Sequence, residues 1–221
     1  MSQANAETLL NKTRAAYREF STYQDSGYSM IRHCDEEERL RTKFETLFVR
    51  PNRFRFRFQS THPHEPLRHI ITRHECGFDG ESAYFWMKHH ESPPQIETFA
   101  SAEIAVGAAT GVSNGAAHTI SQLLQSGISG GLMELTNLRV VGESEVDGSV
   151  CVEVRGIPER VVLHTSLFID PQALLIRKIS KCFKKFTNDE YRTNICLNAP
   201  IDHSHFVRPV ADRRIFEPTD E

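Results

Sequence analysis

Phe54-Arg55-Phe56-Arg57-Phe58 is the stretch that decides the fold. Apolar and cationic side chains alternate strictly along it, which is the two-residue period of a β-strand with one dry face and one wet face. Parallel sheets are covered on both faces, so a strand with one wet face favours an antiparallel sheet. The stretch therefore predicts a mainly antiparallel β protein.

Strand-like segments lie on both sides of this stretch. Residues 23–30 and 40–49 form a predicted hairpin just before it. The later segments are separated by turn residues such as Asp147-Gly148 and Thr187-Asn188, which suit hairpin connections. The further predicted strands are residues 69–75, 82–88, 138–143, 149–155, 161–169, 174–186 and 190–197.

Three segments follow the helical period instead. Residues 6–20 carry apolar side chains at three-to-four spacing, which predicts an amphipathic N-terminal helix. Residues 99–109 and 113–125 read as two short helices broken at Thr110-Gly111. Glu103 is the only ionised side chain of this middle segment, so we expect another part of the molecule to cover most of it. The order is one helix, about four strands, two helices and about five strands, which disfavours a doubly wound parallel sheet and predicts an α+β protein.

Length and charge bound the class of protein. A chain of 221 residues fits one domain, in which we distinguish an N-terminal helix (1–22), a helical insert (99–126) and an irregular tail (198–221). The net charge is −3, with 26 basic and 29 acidic residues, so no nucleic-acid partner is expected. The first six residues lack signal-peptide character. We therefore expect a periplasmic or envelope-associated protein if a signal peptide has been removed, and a cytoplasmic protein if the chain is complete.

Several local phrases, in this order and spacing, resemble the LolA/LolB-like superfamily, the bacterial outer-membrane lipoprotein carriers and their kin. They are Ser21-Thr22-Tyr23, Phe44-Glu45-Thr46, Arg50-Pro51-Asn52-Arg53-Phe54, Phe78-Asp79-Gly80, Thr110-Gly111-Val112-Ser113, Val146-Asp147-Gly148, Leu167-Phe168-Ile169-Asp170-Pro171 and Pro200-Ile201-Asp202. The resemblance covers nearly the whole chain. It implies a strongly curved, incomplete β-barrel covered by the N-terminal helix and by the two middle helices, which act as a lid. Members of the family shuttle or sense lipid-linked molecules in the bacterial envelope, and no arginine here is matched to the carrier's lid-locking arginine.

The apolar face of the predicted sheet is the candidate binding surface. A concave apolar face must be covered by helices or by a ligand, and each ligand CH₂ buried there contributes roughly 0.8 kcal/mol. A plain core packed against the helices is the alternative. The predicted ligand-binding residues are Phe44, Phe48, Phe54, Phe56, Phe58, Tyr84 and Trp86 on the sheet, and Ile104, Ile120, Leu123 and Leu124 on the middle helices.

The sequence carries no catalytic, cofactor or metal motif. It has no nucleophile elbow, Walker loop or dinucleotide fingerprint, and its eleven histidines show no zinc-ligand spacing. We read the histidines as solvated loop residues and the five cysteines as free thiols. The protein is therefore predicted to be a non-enzyme without cofactor or metal.

The arginines of the deciding stretch form a cationic stripe. Arg53, Arg55 and Arg57, with Arg41 and Arg50 near them, lie on the predicted outer face. Such a stripe is either a solvated face balanced by acidic neighbours or a contact for anionic lipid headgroups or an envelope protein.

Three functions remain open from the sequence. The first is a carrier or sensor of a lipid or lipid-linked hydrophobic ligand, which predicts a continuous apolar cavity between the sheet and residues 99–125. The second is a structural or protein-interaction module with no ligand cavity. The third is an enzyme that has recruited the fold, which needs at least two titratable groups converging in the cavity.

Overall fold

The structure is a computed structural model that describes residues 3–33, 38–62, 65–67, 70–90, 92–124, 134–158 and 163–209. It consists of one antiparallel sheet with three α-helices. The elements are α1 (Gln3–Glu19), β1 (Thr22–His33), β2 (Glu38–Val49), β3 (Arg53–Thr61), β4 (Ile71–Phe78), β5 (Ala83–His89), β6 (Gln95–Phe99), α2 (Ala102–Val112), α3 (His118–Leu124), β7 (Thr136–Val146), β8 (Ser149–Ile157), β9 (His164–Asp170), β10 (Leu175–Cys182) and β11 (Phe186–Leu197), with short 3-10 helices at Glu65–Leu67 and His203–Phe206.

The eleven strands form one open sheet in the order β6-β5-β4-β3-β2-β1-β11-β10-β9-β8-β7. Phe56 on β3 and Leu167 on β9 belong to the same buried cluster, although five strand-to-strand steps separate them. Each step is about 4.8 Å, so a flat sheet would hold these two strands roughly 24 Å apart. The sheet therefore curls around its core. Among the described residues its edge strands, β6 and β7, do not pair with each other, so the barrel is incomplete.

The register of β2, β3 and β4 sorts side chains onto two faces. Phe54, Phe56 and Phe58 are fully buried on one face, which we call the concave face. Arg53, Arg55 and Arg57 lie on the other, which we call the convex face. Phe54 pairs with Phe48 and Phe58 with Phe44, so the phenylalanines of neighbouring strands meet on the concave face. The two-face prediction from the deciding stretch is confirmed.

The helices lie on the concave side. Ser101 caps α2 by accepting a hydrogen bond from the Ile104 backbone N–H at 3.4 Å. The helix buries Ala105, Val106 and Ala109, while α1 buries Leu10 and Tyr17. All five belong to the cluster that holds the phenylalanines. The predicted covering of the sheet by three helices is therefore confirmed. No helix in the described part of the chain is both long and apolar enough to cross a membrane.

The predicted break between the middle helices is wrong in position. Helix α2 continues through Gly111 to Val112, and the chain turns at residues 113–117. Asn114 and Gly115 take positive φ angles of 57° and 88° there, which are left-handed conformations that asparagine and glycine tolerate best. The last residues of the predicted insert, 125–126, lie outside the described residues, as do residues 210–221 of the tail.

Two strand predictions also need correction. Strand β6 was not predicted. Thr187-Asn188-Asp189 lies inside β11 and not at a turn, because the chain reverses at residues 183–185, where the Phe183 N–H donates to the Phe186 carbonyl at 2.9 Å. Cys182 consequently pairs with Thr187. Cys76, Cys151, Cys182 and Cys196 are free thiols, and Cys34 lies outside the described residues.

Candidate functional site

The concave face is the candidate site, and five of the predicted residues meet on it. Phe44, Phe48, Phe54, Phe56 and Phe58 are all buried there. We call these five residues the aromatic layer. Ring centroids in it are 5.9 Å apart for Phe44 and Phe56 and 5.3 Å apart for Phe56 and Phe58. These separations lie within the range of favourable aromatic contacts.

Tyr84 and Trp86 lie on the opposite face, so their assignment to the apolar surface is wrong. The register of β4 and β5 pairs Gly77 with Tyr84 and Glu75 with Trp86, which places both aromatic residues on the convex side. Phe85 takes the concave position, with its ring 6.3 Å from that of Phe58. Trp86 is nevertheless only 2% exposed, and the Tyr84 hydroxyl donates to Glu75 Oε1 at 2.7 Å.

The middle helices contribute some of the predicted residues and not others. Ile120 and Leu123 of α3 are fully buried in the cluster, and Leu124 packs against it. Ile104 is 46% exposed, so its assignment to the concave site is wrong. It precedes the buried Ala105 on α2, and one helical residue turns the side chain by about 100°. We call α2, the turn 113–117 and α3 the lid.

A cluster of three buried charges lies on the concave face beneath the lid. Arg192 of β11 forms ion pairs with Asp25 of β1 and Glu190 of β11, and all three side chains are at most 3% exposed. We call these three residues the polar centre. Burial acts to lower the pKa of Arg192, but the two carboxylates outweigh burial and raise it well above its usual value. The Tyr23 hydroxyl adds a hydrogen bond to Asp25 Oδ2 at 2.6 Å, and burial raises its own pKa.

Arg192 also contacts the lid. Its Nη2 donates to the Ala116 carbonyl in the turn of the lid at 2.7 Å, and its guanidinium carbon lies 4.9 Å from the centre of the Phe44 ring. The polar centre therefore connects the lid to the aromatic layer. Sequence reasoning missed it, although a signal was present, since Asp25 and Tyr23 share one parity on β1 and so one face.

Arg50 makes a second connection to the lid. Its guanidinium donates to three backbone carbonyls, those of Tyr17 at 2.8 Å, Phe20 at 3.0 Å and Leu123 at 2.8 Å. Tyr17 and Leu123 stand near the C-terminal ends of α1 and α3, where carbonyls lack intrahelical partners and a cation is favourable. The sequence placed Arg50 only in a turn near the cationic stripe.

A histidine–lysine pair contacts the turn of the lid. His118 Nδ1 donates to the Gly115 carbonyl, and Lys181 Nζ lies 3.4 Å from His118 Nε2. Burial, and then the charge of Lys181, lower the pKa of His118 to about 3. His118 is therefore neutral at neutral pH, and its Nε2 can accept a hydrogen bond from Lys181 Nζ.

The convex face is partly covered by the tail, so two arginines of the stripe contact the chain itself. Arg53 Nη1 lies 2.6 Å from His203 Nδ1, and Arg55 donates to the His205 carbonyl at 2.8 Å. Phe206, the next residue, is only 2% exposed. A cavity of about 380 Å³ lies under this tail, lined partly by Glu45, Arg55 and Asp202. It is not lined by the concave phenylalanines.

The predicted loop histidines do not share one environment. His74 stacks on Phe58 with centroids 4.5 Å apart and is 5% exposed, so its reading as a solvated residue is wrong. His64 and His69 lie outside the described residues. Within the described ranges, no group of three His, Cys, Asp or Glu side chains is placed to hold a metal ion.

No protein-family model and no curated protein matches the sequence. Among solved structures, the chain is similar to LprF from Mycobacterium bovis, with a TM-score of 0.53 and 11% identity over 90% of this chain and 95% of LprF. Two weaker likenesses are to the Pseudomonas aeruginosa MucA/MucB complex (TM-score 0.42, 14% identity, 94% of this chain and 62% of that one) and to the LolA superfamily protein NE2245 from Nitrosomonas europaea (TM-score 0.36, 9% identity, 92% and 97%). The chain thus spans less than two thirds of the chain matched in the complex. The open sheet, its helices and the likeness to LprF confirm the predicted LolA-like fold.

Proposed function

We propose that this protein, whose fold is LolA-like, binds a lipid or lipid-linked hydrophobic ligand on its concave face and acts as a carrier or sensor without catalysis. The bacterial cell envelope is the compartment that suits such a ligand. The observation that carries the proposal is an aromatic layer covered by a lid of mostly small side chains and held by arginine contacts to backbone carbonyls.

The ligand must displace the lid, because the described lid residues and the aromatic layer are buried in one cluster, and the continuous cavity expected from the sequence is not open at these residues. Ala105, Ala109 and Ala117 are fully buried against the sheet side of the lid. Alanine side chains bury little area each, so lifting the lid costs less than lifting helices of leucine and phenylalanine. An acyl chain would cover the same phenylalanines and would regain roughly 0.8 kcal/mol for each CH₂ that it buries.

The closed lid also contains unsatisfied polar groups. The hydroxyls of Thr119 and Ser121 on α3 and of Thr46 on β2 are buried without a hydrogen-bond partner in the described structure. Each buried hydroxyl without a partner lowers the stability of the closed state by about 1–3 kcal/mol. Their cost makes the closed state less stable than an all-apolar interface would be, which supports a lid that opens.

The contacts of the polar centre support binding over catalysis. Asp25 and Glu190 are buried carboxylates under the lid, and both are bound to Arg192. Arg192 also donates to the Ala116 carbonyl, so its charge-assisted hydrogen bonds join both carboxylates to the lid. The polar centre is therefore suited to positioning the lid.

A protein-interaction module is the second candidate. The close packing of the lid on the aromatic layer is what a plain core would show, and it favours this reading over a permanently open pocket. In that case the surfaces left for an envelope partner are the convex face and the edge strands.

A reversible lock on the lid separates the two candidates. Asn114 Nδ2 in the lid turn donates to Thr42 Oγ1 of β2 at 3.3 Å, so a disulfide in T42C/N114C would tie the lid to the sheet. We expect the oxidised variant to lose uptake of cis-parinaric acid, a fluorescent fatty acid, and to regain it on reduction. Wild type and the single variant T42C, treated with the same oxidant, are the controls.

Native mass spectrometry with organic extraction identifies the natural ligand. We expect an apolar molecule to co-purify with the wild type and to be lost in F56D. The control W86D is altered at a convex position that is also almost fully buried, and folded W86D should retain the molecule. The interaction module would be favoured if no apolar molecule co-purified and if the lock variant bound no cis-parinaric acid in either its oxidised or its reduced form.

A further inference from the structure

The end of the sheet formed by β7, β8 and β9 contains a second cavity, which no described lid residue lines. It has a volume of about 290 Å³ and is lined partly by Asn137, Arg139, Arg155 and His164. Arg139 pairs directly with Arg155, and both lie on the convex side, because their strand neighbour Val154 belongs to the buried cluster of the concave face and Val140 packs against it. The cavity is therefore separate from the aromatic layer, and a ligand site there is independent of whether the lid opens.

Two arginines face each other across this cavity. Like charges directly opposite on neighbouring strands are destabilising unless something compensates them. Glu153 compensates Arg155, with Oε1 2.7 Å from Nη2 and 3.2 Å from Nε. Arg139 forms no ion pair with any described residue. The cavity thus keeps an excess positive charge in a protein whose net charge is −3.

The other groups of the cavity suit an oxyanion. Burial, and then the charges of Arg155 and Arg139, lower the pKa of His164, so at neutral pH its imidazole offers an N–H donor without adding a third charge. The amide of Asn137 adds a donor at the same wall. Arginine N–H groups are good donors to phosphate oxygens, and a phosphate group would neutralise the one positive charge that remains after Glu153 has compensated Arg155.

The rim of the cavity is apolar. Ile157 is 44% exposed and Leu163 is 50% exposed, and both line the cavity beside the arginines. A phosphate attached to a hydrocarbon, as in a phospholipid, would contact the arginines through its oxygens and this rim through its carbon atoms.

We propose that the cavity between β7, β8 and β9 is a binding site for a phosphate group, with Arg139 and Arg155 as its principal ligands. The phosphate is either that of a phospholipid headgroup or a free phosphate.

The test uses the full chain and a matched pair of variants. R139Q removes the exposed arginine, and R73Q removes one strand arginine from the opposite half of the sheet, so the two variants have the same net charge. Inorganic phosphate is titrated calorimetrically. We expect saturable binding to wild type and R73Q, and a loss of affinity of about tenfold or more in R139Q, as expected for one charge-assisted contact. Equal affinity in R139Q and R73Q, or equal binding of acetate, overturns the proposal.

Vesicles identify the source of the phosphate. Phosphatidylcholine vesicles with and without phosphatidylglycerol are sedimented with each variant. Binding that depends on Arg139 and appears only with phosphatidylglycerol identifies a headgroup on a membrane surface. Phosphate binding without vesicle binding identifies a free anion. No binding of either probe, or vesicle binding that R139Q leaves unchanged, overturns the proposal.

Discussion

At the scale of single residues, the polar centre is the most costly feature of the concave face. Removing charges from water costs several kcal/mol per ion, and the attraction between the ions returns this only if the geometry and hydrogen bonds are good. Arg192 contacts Asp25, Glu190 and the Ala116 carbonyl at once, while Asp25 Oδ1 and Arg192 Nε have no hydrogen-bond partner in the described structure. A partial replacement would leave a buried charge without its counter-ion.

We therefore expect R192Q to destabilise the protein by about 3–5 kcal/mol, because it leaves two buried carboxylates unpaired. The triple variant D25N/E190Q/R192Q replaces every charge and should recover most of that loss. Urea unfolding followed by circular dichroism measures both free energies. A triple variant no more stable than R192Q would show that the charges themselves are not the source of the cost.

A second residue-scale prediction concerns pH. Burial, with a smaller effect of His89, lowers the pKa of His74 to about 4. The unfolded chain therefore binds more protons than the folded chain below the ordinary histidine pKa. The stability contributed by neutral His74 is complete above that value and is lost as the pH falls from about 6.5 towards 4, by about 2 kcal/mol between pH 7 and pH 5.

The variant H74F should remove this part of the pH dependence, because phenylalanine keeps the stack on Phe58 without a titrating group. The difference in unfolding free energy between pH 7 and pH 5 is measured for wild type, H74F and H33F, the last altered at an exposed histidine. Equal slopes in H74F and wild type would contradict the assignment.

At the scale of elements, the alternation of apolar and polar residues predicted which side chains face the core only in strands with one polar face. The deciding stretch has arginine opposite phenylalanine, so its concave side could be read directly. Strand β5 reads Ala83-Tyr84-Phe85-Trp86-Met87 and is apolar on both faces, so periodicity could not choose between them. The choice is made by register, since Cys76 pairs with Phe85.

Segments defined by tertiary contacts were also beyond local reading. Asn188 and Asp189 look like turn residues, yet they continue β11 because Asn188 donates to the Asn114 carbonyl at 2.5 Å and Asp189 pairs with Lys178 at 3.6 Å. Strand β6, with exposed Gln95 and Glu97, has little apolar signal of its own. Pairing with β5 specifies it.

The tail supplies the element-scale prediction. Phe206 is 2% exposed and its neighbour Val207 is 59% exposed. We expect F206A to destabilise the protein by about 3–5 kcal/mol, as for other buried phenylalanines, and V207A to change stability by less than about 0.5 kcal/mol. Fluorescence of Trp86, the single tryptophan, reports unfolding in urea. Equal stabilities of the two variants would show that the tail does not pack on the convex face.

At the scale of the whole molecule, the lid and the centre of the sheet differ in how they are held. Strands β1, β2 and β11 are joined by long ladders along twelve-residue strands. The lid is joined to the sheet through small side chains and through the contacts of Arg50 and Arg192.

Hydrogen exchange should therefore show the backbone amides of α2 and α3 opening well before those of β1 and β11. Local openings have lower free energy where fewer apolar contacts must break. Mass spectrometry of peptides from the native protein measures the two rates. The variant R50Q should accelerate exchange in α3 more than in β1. Exchange of lid and sheet at one common rate would contradict an opening lid.

The pairing of β1 with β11 in the middle of the sheet has a kinetic consequence. Tyr23 lies opposite Leu197, so the central ladder joins segments that are far apart in the sequence. Contacts between distant segments slow folding, because the intervening chain must be ordered before they form. On the ribosome, β1 and β2 emerge long before β11, and the partner edge of β1 remains unpaired until β11 has been synthesised. The newly made protein thus has a period in which its central strand is an open edge, when a chaperone that shields strands would have most effect.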